Sequence, residues 1–132
     1  MIGLDTNILL RVFLKDDVAQ SAKVAELFAR LGEIGPGYIS CITLMEFAWF
    51  LRQRIKLTRE QIADGIADLL DSEDIILEDE EAVEAVLDVM SRSQAEFADA
   101  FIAVRNRNAG CSATFTFDER AAKTIEGMEL LA

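Results

Sequence analysis

Along the chain, short apolar runs alternate with longer stretches in which apolar residues recur every three or four positions. "MIGL" (1–4) is a short strand that stops at Asp5, whereas "TNILLRVFL" (6–14) and "VAQSAKVAELFARL" (18–31) carry the period of a helix. Gly35, Pro36 and Gly37 interrupt the pattern, and "YISC" (38–41) resumes as a second strand. An apolar helix follows over 43–55. The next, over 58–71, places Ile62, Ile66, Leu69 and Leu70 on one side and opens with a Thr58/Gln61 capping box. "IIL" (75–77) is a third strand, "EEAVEAVLDVM" (80–90) a helix, and a further helix surrounds Asp99. "ATFTF" (113–117), a short helix from Glu119 and "MELL" (128–131) as an edge strand complete the series. Such alternation predicts an α/β fold of three layers, a central mostly parallel sheet with helices on both faces. No repeat or linker divides residues 1–132, which are read as one domain able to bury roughly two thirds of its unfolded surface.

Composition narrows the chemistry more than the class. Histidine is absent, which removes Ser-His-Asp and Cys-His nucleophile systems and the usual catalytic zinc sites. Cys41 and Cys111 lie far apart, form no CxxC and read as a pair of reduced, buried thiols. No glycine-rich phosphate loop occurs, because "GEIGPG" (32–37) precedes a strand. The apolar runs are too short to cross a bilayer, and the N-terminus lacks the basic start of a signal peptide, so the cytoplasm is the expected compartment.

The formal charge of −11 argues against a nucleic-acid partner until its distribution is considered. Twelve of the 24 acids lie between Glu60 and Asp88, where there is no Lys or Arg. The remaining twelve acids face thirteen bases, so the rest of the chain is close to neutral. The acidic block reads as a solvated face. Arg11, Lys15, Arg52, Arg54, Lys56, Arg105, Arg107, Arg120 and Lys123 stay available for phosphates.

Four acids stand apart. Asp5 and Asp118 each follow an apolar strand, at the carboxyl edge where ligand sites of open α/β folds gather. Glu46 lies about one helical turn beyond "YISC", and Asp99 interrupts an apolar run, "FADAFIAV". Each also has a structural explanation. Asp5 and Asp118 suit helix N-caps, Glu46 suits a capping box with Thr43, and Asp99 suits a buried ion pair with Arg105 or Arg11. Convergence on one crevice is the expectation that accounts for all four together. Carboxylates without histidine suit Mg²⁺ or Mn²⁺, hard cations that relieve the mutual repulsion of the acids and activate water against a phosphodiester.

"GLDTNILLRVFLKDD", "YISCITLMEFAWFLR", "FADAFIAV" and "TFTFDERAAK" resemble, in order and spacing, the successive blocks of PIN-domain ribonucleases, and more narrowly of VapC-type toxins of bacterial toxin–antitoxin pairs. The resemblance implies that Asp5, Glu46, Asp99 and Asp118 form the catalytic, metal-binding set, with Thr6, Asn7 and Thr116 as orienting polar groups. Glu96 stands where the family often has Asp, and the added methylene leaves it outside the ligand set. An RNA substrate, a homodimer and a cognate VapB-like antitoxin are implied too. An antitoxin arginine would suit the acidic pocket, beside an apolar groove at Phe47, Trp49 and Phe50. Two other readings compete. One is phosphoryl transfer through Asp5, for which Asn7 stands where DxDxT needs its second Asp; the other is a non-catalytic acidic binding module centred on residues 60–88.

Overall fold

A computed structural model describes residues 1–131. In chain order the elements are β1 (Ile2–Gly3), α1 (Thr6–Leu14), α2 (Val18–Ile34), β2 (Gly37–Ile39), α3 (Cys41–Gln53), α4 (Arg59–Asp71), β3 (Ile75–Leu77), α5 (Glu80–Arg92), α6 (Phe97–Asn108), β4 (Thr114–Thr116), α7 (Glu119–Thr124) and β5 (Met128–Leu130). The strands form two hydrogen-bonded groups, β1-β2-β3 and β4-β5, and every pairing is parallel. This is the expected α/β arrangement of helices around parallel strands. Parallel pairing sends the carboxyl ends of β1, β2 and β3 to one edge, where Asp5, Ser40 and Glu78 follow in turn.

The helices form for the reasons their spacing suggests. Ile62, Gly65, Ile66 and Leu69 bury one face of α4, and Thr58 and Gln61 make the reciprocal capping box. Residues expected to continue β2 instead begin a helix: Ser40 caps α3 by accepting from the Thr43 amide, so the strand ends at Ile39 and Cys41 is already helical. Glu46 therefore does not complete a capping box with Thr43.

One hydrophobic cluster runs from Leu4 through Leu9, Ile39, Leu44, Phe47, Ile66, Val83 and Phe101 to Met128. Phe47, expected to line a surface groove, is fully buried, with its ring 5.1 Å from that of Phe13. Gly37 fits tightly, because a Cβ there would lie 2.7 Å from Leu4 Cδ1 and 3.2 Å from Ile75 Cδ1. Gly37→Ala is expected to cost about 1–3 kcal/mol through overpacking, read as a lower midpoint in urea. Because Leu4 precedes Asp5, the strain falls next to the carboxyl edge.

Of the twelve acids from Glu60 to Asp88, all except Glu78 are exposed, as a solvated face requires. The two thiols, expected to be buried, are free but not sealed in the core: Cys41 at the start of α3 is half-buried, and Cys111, between α6 and β4, is exposed. Among the described residues no helix is long and apolar enough to cross a membrane.

Candidate active site

The four acids singled out by sequence fall into two groups. In the first, Asp5 caps α1, its Oδ1 accepting from the Ile8 amide at 3.2 Å. The next residue, Thr6, donates its hydroxyl to Glu46 Oε1 on α3, so the start of α1 and the middle of α3 are tied across 40 positions of sequence. Asn7 is exposed. In the second group, Asp118 caps α7 by accepting from Ala121 N at 3.0 Å, while its own amide donates to Thr116 Oγ1 at 3.0 Å. Asp99 stands beside Asp118 on the first turn of α6, close enough for their charges to interact.

Asp99 is not in the buried stripe of its helix. Phe97, Ala100, Phe101 and Val104 form that stripe at helical spacing, and Ile102 faces outward. Nor is Asp99 mid-helix: α6 begins at Phe97, which leaves the carboxylate half-buried near the positive end of the helix dipole. The two arginines considered as its partners are engaged elsewhere. Arg11 pairs with Asp16, and Arg105 lies 3.5 Å from Asp79 and donates to Cys41 Sγ at 2.9 Å. Among the described residues no cationic side chain pairs with Asp99 within 4 Å.

Asp99 and Asp118 open onto a crevice of about 460 Å³. Trp49, Arg52, Gln53 and Lys56 come from α3 and the turn beyond it; Glu96, Asp99 and Asp118 come from the starts of α6 and α7. Asp5 and Glu46 do not line this crevice. Glu46, Trp49 and Gln53 are spaced i, i+3 and i+7, so one side of α3 leads from the first group of acids to the second. No three acids among the described residues stand close enough together to form a ready metal-holding group. The expected convergence of all four is thus only partial.

The electrostatics separate two neighbouring carboxylates. Burial first, then the charges of Asp118 and Glu96, push the Asp99 carboxyl above its ordinary range. Glu96 moves the other way. Arg52 Nε and Nη2 donate to its two oxygens at 3.0 and 2.9 Å, and this paired contact holds the Glu96 carboxyl below its ordinary range. Glu96 is thereby occupied by an arginine. The sequence carries no sign of this pair, whose members lie 44 positions apart; Trp49, expected in a groove beside the acidic pocket, and Lys56, expected to be available for phosphates, both stand on the crevice wall.

Asp99 and Asp118 fit a hard divalent cation. They offer oxygen donors only, carry like charge in close proximity, and lack a neutralising side chain among the described residues; Mg²⁺ typically binds through one or two carboxylates and retains water for the rest.

No curated protein matches the chain. The sequence profile described as PIN domain, however, matches residues 2–126, nearly the whole length and all four acids included. The α/β fold with parallel strands, the acids at strand ends and helix starts, and this match lead to one conclusion: the chain belongs to the PIN domain family.

Proposed function

We propose that the protein is a Mg²⁺- or Mn²⁺-dependent endoribonuclease acting as the toxin of a type II toxin–antitoxin pair. PIN domains are generally nuclease modules that act on RNA or DNA with divalent metal ions. The observation that carries the reading to this site is Asp99: a half-buried carboxylate beside Asp118, without a cationic partner among the described residues, in a crevice whose other wall bears Arg52 and Lys56.

Asp99 and Asp118 would hold the ion, with Asp5 at the start of α1 and Glu46 in the middle of α3 completing the set. A bound divalent ion supplies water acidic enough to attack phosphorus and offsets the charge of the phosphate. Thr116 fixes the backbone beside Asp118, and Thr6 fixes the Glu46 carboxylate, which either ligates or accepts a proton from the attacking water. The cations of the opposite wall orient the RNA backbone. Arg11, Arg52 and Arg105 are already paired within the chain, so Lys56 contributes a charge that no acid offsets among the described residues.

Purified protein incubated with total RNA is expected to cleave it in Mg²⁺ or Mn²⁺, to stop when a chelator is added, and to resume with excess metal. Absence of cleavage with either ion, or indifference to the chelator, counts against the reading. The toxin role, a cytoplasmic site of action, a homodimer and a VapB-like antitoxin are the finer parts of the proposal and rest on the VapC-like motifs. A guanidinium can bridge two carboxylates, so an antitoxin arginine at Asp99 and Asp118 would compete with metal.

A further inference from the structure

We infer that the α3 wall of the crevice seats a nucleotide next to the bond that is cut: Trp49 stacks its base, while Lys56 and the unengaged N–H groups of Arg52 take its phosphate. The inference rests on the nuclease reading above and adds the residues that select the substrate. Trp49 is 51% exposed at the crevice, unlike Phe47 two residues before it, which is sealed in the core. An indole left half in water at the mouth of a charged cavity offers a flat face of the kind on which unpaired bases stack. The guanidinium of Arg54 lies over one face of the ring, 6.0 Å from its centroid, so the base stacks on the face that Arg54 leaves open.

The cations of this wall are unequal. Arg59 is engaged in structure, donating to the carbonyls of Met90 and Ala95 and pairing with Glu60. Arg52 uses Nε and Nη2 on Glu96 and Nη1 on the Leu57 carbonyl at 3.1 Å; of its five N–H groups, one on each terminal nitrogen is left over. Glu96 and Leu57 thus act as positioning groups for a guanidinium that still has donors to offer. Lys56 lies just past α3 with a φ of 66°, and no acid pairs with it among the described residues. A crevice of about 460 Å³ falls within the range of sites for small organic ligands, enough for one nucleotide. Its charge is polarised as well. Cations on the α3 side and carboxylates on the α6 and α7 side leave one favourable orientation for a strand, with the flanking phosphate at Lys56 and the scissile one towards Asp99. A stacked base must leave its pairing partner, so a duplex is excluded from this seat.

Trp49 is the sole tryptophan of the chain, so its emission reports directly on the seat. The full chain in chelator is titrated with a short single-stranded RNA and with the same sequence as a duplex. Saturable quenching by the single strand and not by the duplex is expected, and Lys56→Ala should weaken it and lower the salt dependence by about one charge. With metal present, Trp49→Ala should raise KM about tenfold with little change in kcat, and Trp49→Phe should restore most of the loss. If the protein cleaves RNA while its emission is unmoved, or while Trp49→Ala cleaves like the parent, the seat is refuted and the nuclease reading stands. Equal quenching by strand and duplex also refutes it. Quenching by the single strand without cleavage in any metal supports the seat and removes the nuclease reading; neither signal overturns both.

Discussion

Asp99→Asn is expected to lower RNA cleavage by roughly 10²- to 10³-fold, the scale on which loss of one electrostatic group at a reacting phosphate is felt. The melting temperature of the metal-free protein should hold level or rise. A carboxyl whose folded pKa is raised binds its proton more tightly in the folded chain than in the unfolded one, so stability falls as pH climbs through that range. At neutral pH the ionised group therefore opposes folding, and an amide of the same shape removes the opposition. Asp99 makes no ion pair among the described residues that the change would break. Added Mg²⁺ should raise the melting temperature of the parent and leave that of the variant nearly unchanged, because only a ligand bound to the folded state shifts it. On the proposed toxin role, expression of the parent should arrest bacterial growth and the variant at matched soluble levels should not. A variant that unfolds without metal would mark Asp99 as a structural acid.

Phe47→Ala should destabilise the protein by about 3–5 kcal/mol, the largest loss expected from one substitution here. Its side chain has no exposure, and its ring is tilted 57° against Phe13 of α1. Urea denaturation should show a lower midpoint with an unchanged slope. Since Glu46 and Trp49 flank it on α3, residual activity should fall further than the folded fraction accounts for. Activity that merely tracks the folded fraction would show that α3 keeps its position without the ring.

The helices were legible because apolar residues three and four apart must share a face, and Thr58 with Gln61 is a local signal that needs no tertiary context. The carboxyl-edge acids were legible because a strand end and a following acid are adjacent in sequence. The end of β2 was not: Ile39, Ser40 and Cys41 suit a strand by propensity, and only the hydroxyl of Ser40 on the Thr43 amide decides for a helix. Phe47 and Trp49 are two aromatics on one helix, and the packing of α1 sends one inward while the other stays at the surface. The ties Thr6–Glu46 and Arg52–Glu96 depend on which helices meet, which periodicity does not encode. Asp99 was singled out for apolar surroundings; its half-exposed place on the first turn of α6 depends on where that helix starts.

Asp5 and Asp118 each commit one carboxylate oxygen to the first turn of the helix they precede, leaving the other for chemistry. Asparagine caps a helix about as well as aspartate, whereas alanine forfeits about 1 kcal/mol at such a position. Alanine scanning here would confuse a lost ligand with a frayed helix, and asparagine is the substitution that isolates the charge. The same asymmetry bears on descent. A lineage that loses the charge by Asp-to-Asn change retains both helix starts, so such a copy persists as a folded protein whose site has lost only its charge.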